Sequence, residues 1–136
     1  SPLVFSDPLG LKVDLSKIGR LKDPLEHVKG TKKGKELYDT LEHSKTTYKI
    51  RERAPGDPGP AFFNPRTNEI VVDPNFRPNI QTTKGTEPAS TERILGHEMG
   101  HAATGAPDRG PGPGFNATQN ENPIAQELGQ NPRITY

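Results

Sequence analysis

Residues 90 to 105 read STERILGHEMGHAATG, a stretch that carries its own start and stop. Ser90 or Thr91 can accept a hydrogen bond from the first free amides of a helix, and Gly105 is a natural terminator. The spacing therefore predicts a helix running to about Thr104. At about 100° per residue, His97 and His101 stack one turn apart on one face, with Glu98 beside them. Leu95, Met99 and Ala102 form a separate face suited to packing. Gly96 and Gly100 form a third, where another backbone could approach closely. Any domain built on this helix must bury one side and leave another free for polar chemistry.

The polar face is chemically specific. Zinc takes imidazole nitrogens at about 2.0–2.1 Å, and a one-turn histidine pair offers two of them to a single ion. A glutamate between the pair can accept a proton from a zinc-activated water and pass it to a leaving amine. His97-Glu98-Met99-Gly100-His101 is thus the HExxH arrangement of zinc peptidases. A catalytic site also needs a third protein ligand, and three carboxylates compete. Asp108 follows His101 by seven residues, one later than the ligand of the metzincin pattern. Glu121 and Glu127 follow by 20 and 26 residues, as in gluzincins, where a glutamate on a later helix completes the set. Glu121, at the start of such a helix, is favoured, with Asp108 and Glu127 left open.

The remainder of the chain is poor in apolar material. Hydrophobic residues make up 29% of the 136, and glycine and proline number 14 and 15. Long loops and a small core are therefore expected, and a bound metal would add folding free energy to such a core. Residues 1–24 read as a linker or extended arm, and 25–136 as one domain. A helical segment over 25–45 is broken by Gly30 and Gly34. TTYKIRER alternates like a half-buried strand, and AFFNPRTNEIVVDP reads as a hairpin with strands at 61–63 and 69–73. Residues 74–89 read as a polar loop and GAPDRGPGPG as a flexible one. A short helix opens near Pro123 and closes at Gly129. The lone histidines His27 and His43 read as surface residues.

Charge and composition exclude several classes. A net charge of +1, with the signs well mixed, argues against a nucleic-acid binder. No stretch approaches the roughly 20 apolar residues of a membrane span. The absence of cysteine removes thiolate metal sites and cysteine nucleophiles. With Met99 the only methionine and Ser1 the first residue, we expect a fragment of a longer protein.

GHEMGHA followed by NENPIAQELGQNPRITY resembles the zinc metallopeptidase effector domains at the C-termini of bacterial toxins. Those include extensions of type VI secretion VgrG spike proteins, Rhs-associated toxins and NleD-type effectors. DPLGL at 7–11 is similar to the junction that precedes toxin domains in Rhs-type proteins. The resemblance implies Zn2+ held by His97, His101 and Glu121, with Glu98 as general base. Arg133 and Tyr136 match the closing R-x-x-Y of the pattern, and either could steady the oxyanion of a tetrahedral intermediate.

The expectation is an α+β, zincin-like domain: an HExxH helix, a β-hairpin or small antiparallel sheet, and long Gly/Pro-rich loops. Its function would be a secreted zinc endopeptidase toxin acting on a protein or peptide in a recipient cell. It would be fused to a secretion spike and countered by an immunity protein. Two alternatives share the motif. One is a non-catalytic delivery or interaction module stabilised by zinc, the other a zinc amidase acting on cell-wall peptides.

Overall fold

Residues 13–136 are described by a computed structural model, and the DPLGL segment lies outside them. The elements run β1 (Val13–Asp14), α1 (Lys22–Lys29), α2 (Lys32–Glu42), β2 (Tyr48–Glu52), β3 (Ala61–Asn64), β4 (Glu69–Val72), β5 (Asn79–Thr82), β6 (Gly85–Pro88), α3 (Thr91–Thr104) and α4 (Asn122–Glu127). A 3-10 turn, Gly19–Leu21, precedes α1, and a π-helical turn, Ala117–Glu121, leads into α4. The architecture is α+β.

The main sheet has the order β1-β2-β4-β3. Its β1–β2 and β2–β4 pairs are parallel, and β3–β4 is antiparallel, so the sheet is mixed rather than antiparallel. β3 and β4 are the expected hairpin, with Asn68 in the left-handed conformation at its turn. The topology leaves β3 at the edge. Ile50, Ile70 and Val72 point into a core shared with Leu25, Leu37 and Leu41 from α1 and α2 and with Leu95 and Met99 from α3. The packing face expected of α3 is therefore the buried one.

Three expectations change. The segment from Val13 to Pro24 is no free arm: β1 joins the sheet, and Leu21 is fully buried. Residues 74–89 contain a second antiparallel pair, β5–β6, in place of a plain loop. Its strands are short and largely polar, with only Ile80 and Thr82 turned inward on β5. That two-residue rhythm is too brief to stand out from polar loop sequence. The Gly/Pro loop after α3 is tied down: Asn116 N–H donates to Pro107 O, and Phe115 N–H to Arg109 O, each at 2.9 Å.

Candidate metal centre

α3 begins and ends as its sequence dictates. The Ser90 side chain accepts from Arg93 N–H at the N-cap, and Gly105 adopts φ 72° at the C-cap. The left-handed residue turns the chain back on the helix. Ala106 O thereby comes within 2.8 Å of His101 Nδ1, and Asp108 swings over the polar face. Asp108 Oδ1 lies 2.9 Å from His97 Nε2 and 3.0 Å from His101 Nε2. These three residues are the group among the described residues whose ligand atoms all lie within 4.8 Å of one another.

Glu121 is not in that group. Its Oε1 lies 2.7 Å from His97 Nδ1, the nitrogen on the other side of the ring. The π-helical turn delivers it there, behind the histidine. Its Oε2 takes a hydrogen bond from Arg93 Nη1 at 2.9 Å, and both side chains are buried. Burial opposes charge on Glu121, but His97, Arg93 and Arg133 together hold its carboxyl below the usual range. Glu127 lies elsewhere, accepting from the backbone amides of Lys32 and Lys33 at the start of α2. Of the expected ligands, then, the structure brings His97 and His101 together and adds Asp108 in place of Glu121.

The hydrogen-bond partners assign the proton on each ring. Ala106 O can only accept, so His101 Nδ1 carries a hydrogen, and in the neutral ring Nε2 keeps its lone pair. The Glu121 carboxylate does the same for His97. With both rings neutral, the Nε2 lone pairs and Asp108 Oδ1 converge with no donor among them, and Asp108 Oδ1 is buried without a hydrogen-bond partner. Three convergent acceptors repel one another unless a cation or a proton sits between them. Two neutral imidazoles and a carboxylate, each backed by a fixed outer partner, are a donor set suited to zinc. A proton competes for the same place: burial lowers the His97 pKa, but Glu121, Glu98 and Asp108 together raise it.

No protein-family model matches the chain, and no curated relative matches it by sequence. Among solved structures, the crystal structure of the Salmonella zinc metalloprotease effector GtgA matches with a TM-score of 0.59. The match covers 85% of this chain and 67% of that one, at 19% identity. The fold of the chain is thus similar to that of this effector.

Around the cluster, the fold sets out further groups. Glu98, on α3, faces the same cleft as His97, β3 and Tyr136. Burial pushes its carboxyl up to about 7, against the pull of His97 and of the Phe63 backbone amide on β3. Tyr136 Oη donates to Asp108 Oδ2 at 2.9 Å, and its ring stacks on His97 with centroids 6.0 Å apart. Burial and Asp108 raise the Tyr136 phenol to about 12, so it stays protonated. The Arg133 guanidinium lies over the Tyr136 ring and 3.4 Å from Glu121 Oε1. Arg133 and Tyr136 therefore both reach the cluster's surroundings. The segment carrying them is held to β5: Ile134 N–H donates to Gln81 O at 2.9 Å, and Thr83 N–H to Pro132 O at 3.2 Å.

Two supports went unnoticed in the sequence. Arg93 anchors Glu121 from inside α3, and Asn116 Nδ2 donates to His97 O at 2.9 Å, tying the returning loop to the helix. A signal for Asp108 was present: Gly105 predicts a chain reversal, and Asp108 is the first carboxylate after it. His27 and His43 are not in the site; His27 pairs with Glu92 on the surface, and His43 with Asp39 O.

Proposed function

We propose that this domain is a zinc-dependent endopeptidase with His97, His101 and Asp108 as the metal ligands and Glu98 as the general base. The observation that carries the reading is the convergence of three acceptors without a donor, beside a buried carboxylate. Zinc bound there would polarise a peptide carbonyl and lower the pKa of a water it holds. Glu98, raised to about 7 by its buried setting, is matched to taking up a proton near neutral pH and releasing it to an amine. Glu121 fixes the His97 tautomer, and Ala106 O that of His101. Tyr136, held on Asp108 and protonated, keeps a phenol donor at the rim, with Arg133 as the nearby positive charge.

The edge strand supplies a place for substrate. β3 pairs with β4 on one side only, so its other side can take an extended peptide by backbone hydrogen bonds. Three protein ligands, with Glu98 in the adjoining cleft, support catalysis over a closed structural zinc site. Likeness to the fold of an effector supports delivery into another cell. The finer assignment, to an extension of a type VI spike protein opposed by an immunity protein, rests on the sequence resemblance.

Metal analysis of the purified protein, paired with cleavage of a denatured proteome by wild type and Glu98→Gln, tests the reading. One zinc per chain and products that require Glu98 support it. Equal cleavage by both proteins overturns it.

A further inference from the structure

A second cavity opens from the cluster on the side away from Asp108, with a volume of about 440 Å³. It shares His97 and Glu98 with the cleft, so whatever occupies it sits beside the reacting bond. That volume falls within the roughly 300–1,000 Å³ of ligand sites. Its walls are Phe76, Pro78, Ile80, Ala89 and Ile94, with Ala61 of β3 at the boundary with the cleft.

Glu98 apart, the charged groups that reach this cavity are engaged with one another. Arg93 is bound to Glu121, Asn122 Oδ1 and Asn131 O. Arg133 Nη1 faces Glu121 and its Nε donates to Thr135 O. Glu121 in turn serves both arginines and His97. A charged side chain carried past Glu98 and Arg133 to the apolar walls would lose water there without gaining a counter-charge. An apolar side chain would exchange water for Phe76, Ile80 and Ile94. A peptide laid on β3 presents alternate side chains to opposite faces, so one residue beside the scissile bond would turn into this cavity.

We propose that the cavity selects substrates by a large apolar side chain (leucine, isoleucine, methionine or phenylalanine) flanking the cleaved bond. This inference rests on the peptidase reading.

The test is a cleavage map on a proteome-derived peptide library, read by mass spectrometry for wild type, Glu98→Gln, Ala89→Leu and Pro78→Glu. Each protein is first checked for native circular dichroism and zinc content. Wild type should enrich large apolar residues at one position next to the cut. Ala89→Leu should shift that position to small residues, and Pro78→Glu toward lysine and arginine. Binding to Glu98→Gln gives a readout independent of turnover. A peptide drawn from the preferred set should bind at least about tenfold more weakly once its apolar residue becomes aspartate. Glu98-dependent cleavage without apolar enrichment, or with enrichment of charged residues, overturns the inference and leaves the peptidase standing. Absence of any Glu98-dependent cleavage overturns both. If Ala89→Leu fails to fold, Pro78→Glu and the binding comparison still decide.

Discussion

Glu121 meets His97 at Nδ1, 2.7 Å away, while Asp108 faces the same ring at Nε2, 2.9 Å away. One imidazole thus separates two carboxylates with different tasks. The carboxylate at Nδ1 orients the ring; the one at Nε2 would, in the proposed site, share the metal. Outer partners of this kind typically change metal affinity 10- to 100-fold. Glu121→Gln should therefore still bind one zinc, about 10- to 100-fold more weakly. Asp108→Ala should lose more affinity than that, measured by competition with a chromophoric chelator. Equal affinities for wild type and Asp108→Ala would return the third-ligand assignment to open choice.

Removing Glu121 altogether has a second consequence. Arg93 is buried against it, and breaking a buried ion pair from one side costs about 3–5 kcal/mol. Glu121→Ala should be strongly destabilised in urea even without metal. Replacing both partners at once, as Arg93→Met with Glu121→Leu, should be much less costly, although the His97 support is lost. A double variant as unstable as the single one would argue against the ion pair as the cause.

Gly100 lies where α3 meets the π-helical turn, and a Cβ there would strike the side chains of Asn116 and Asn120. Asn116 holds His97 O, so the collision is transmitted to the ligand helix. Gly100→Ala should cost about 1–3 kcal/mol by overpacking and reduce zinc affinity as well. Thermal melts with and without chelator separate the two effects.

Away from the site, Arg51 lies between Asp57 and Glu69, with Asp57 Oδ2 at 2.9 Å and Glu69 Oε2 at 3.2 Å. Hydrogen bonds from Arg51 hold the Asp57 carboxyl down at about 2, against an ordinary 3.8. A depressed carboxyl stabilises the fold above its unfolded pKa and ceases to do so as pH falls through the folded one. Stability should therefore drop between about pH 4 and pH 2, and Arg51→Met should flatten that limb. Chemical denaturation at stepped pH measures both curves.

Zinc bound only by the folded chain adds to its stability by mass action. Adding a chelator should lower the melting temperature of wild type and of Glu98→Gln by similar amounts, because Glu98 is not among the three ligands. His101→Ala should melt near the chelated value with or without chelator. A large chelator shift in His101→Ala would mean that zinc sits elsewhere.

What the sequence by itself determined is what lies within one or two turns of chain. The α3 caps, the one-turn spacing of His97 and His101, the β3–β4 hairpin and the packing face of Leu95 and Met99 all follow from local hydrogen bonding and periodicity. Gly96 and Gly100 also foretold close approach, although side chains of α4 and the π-helical turn, rather than a backbone, fill the space. Tertiary structure decided the rest. The role of Glu121 depended on which side of the His97 ring a segment 24 residues away would reach, and no local rule specifies that. The π-helical turn and the Arg93 pair place it at Nδ1, and the reversal at Gly105 gives Nε2 to Asp108. The edge position of β3 likewise arises because β2 pairs with β4 across an intervening strand, a contact between segments far apart in the chain. Spacing along the chain limits which ligands are available. Only the packing of distant elements determines which nitrogen each one meets.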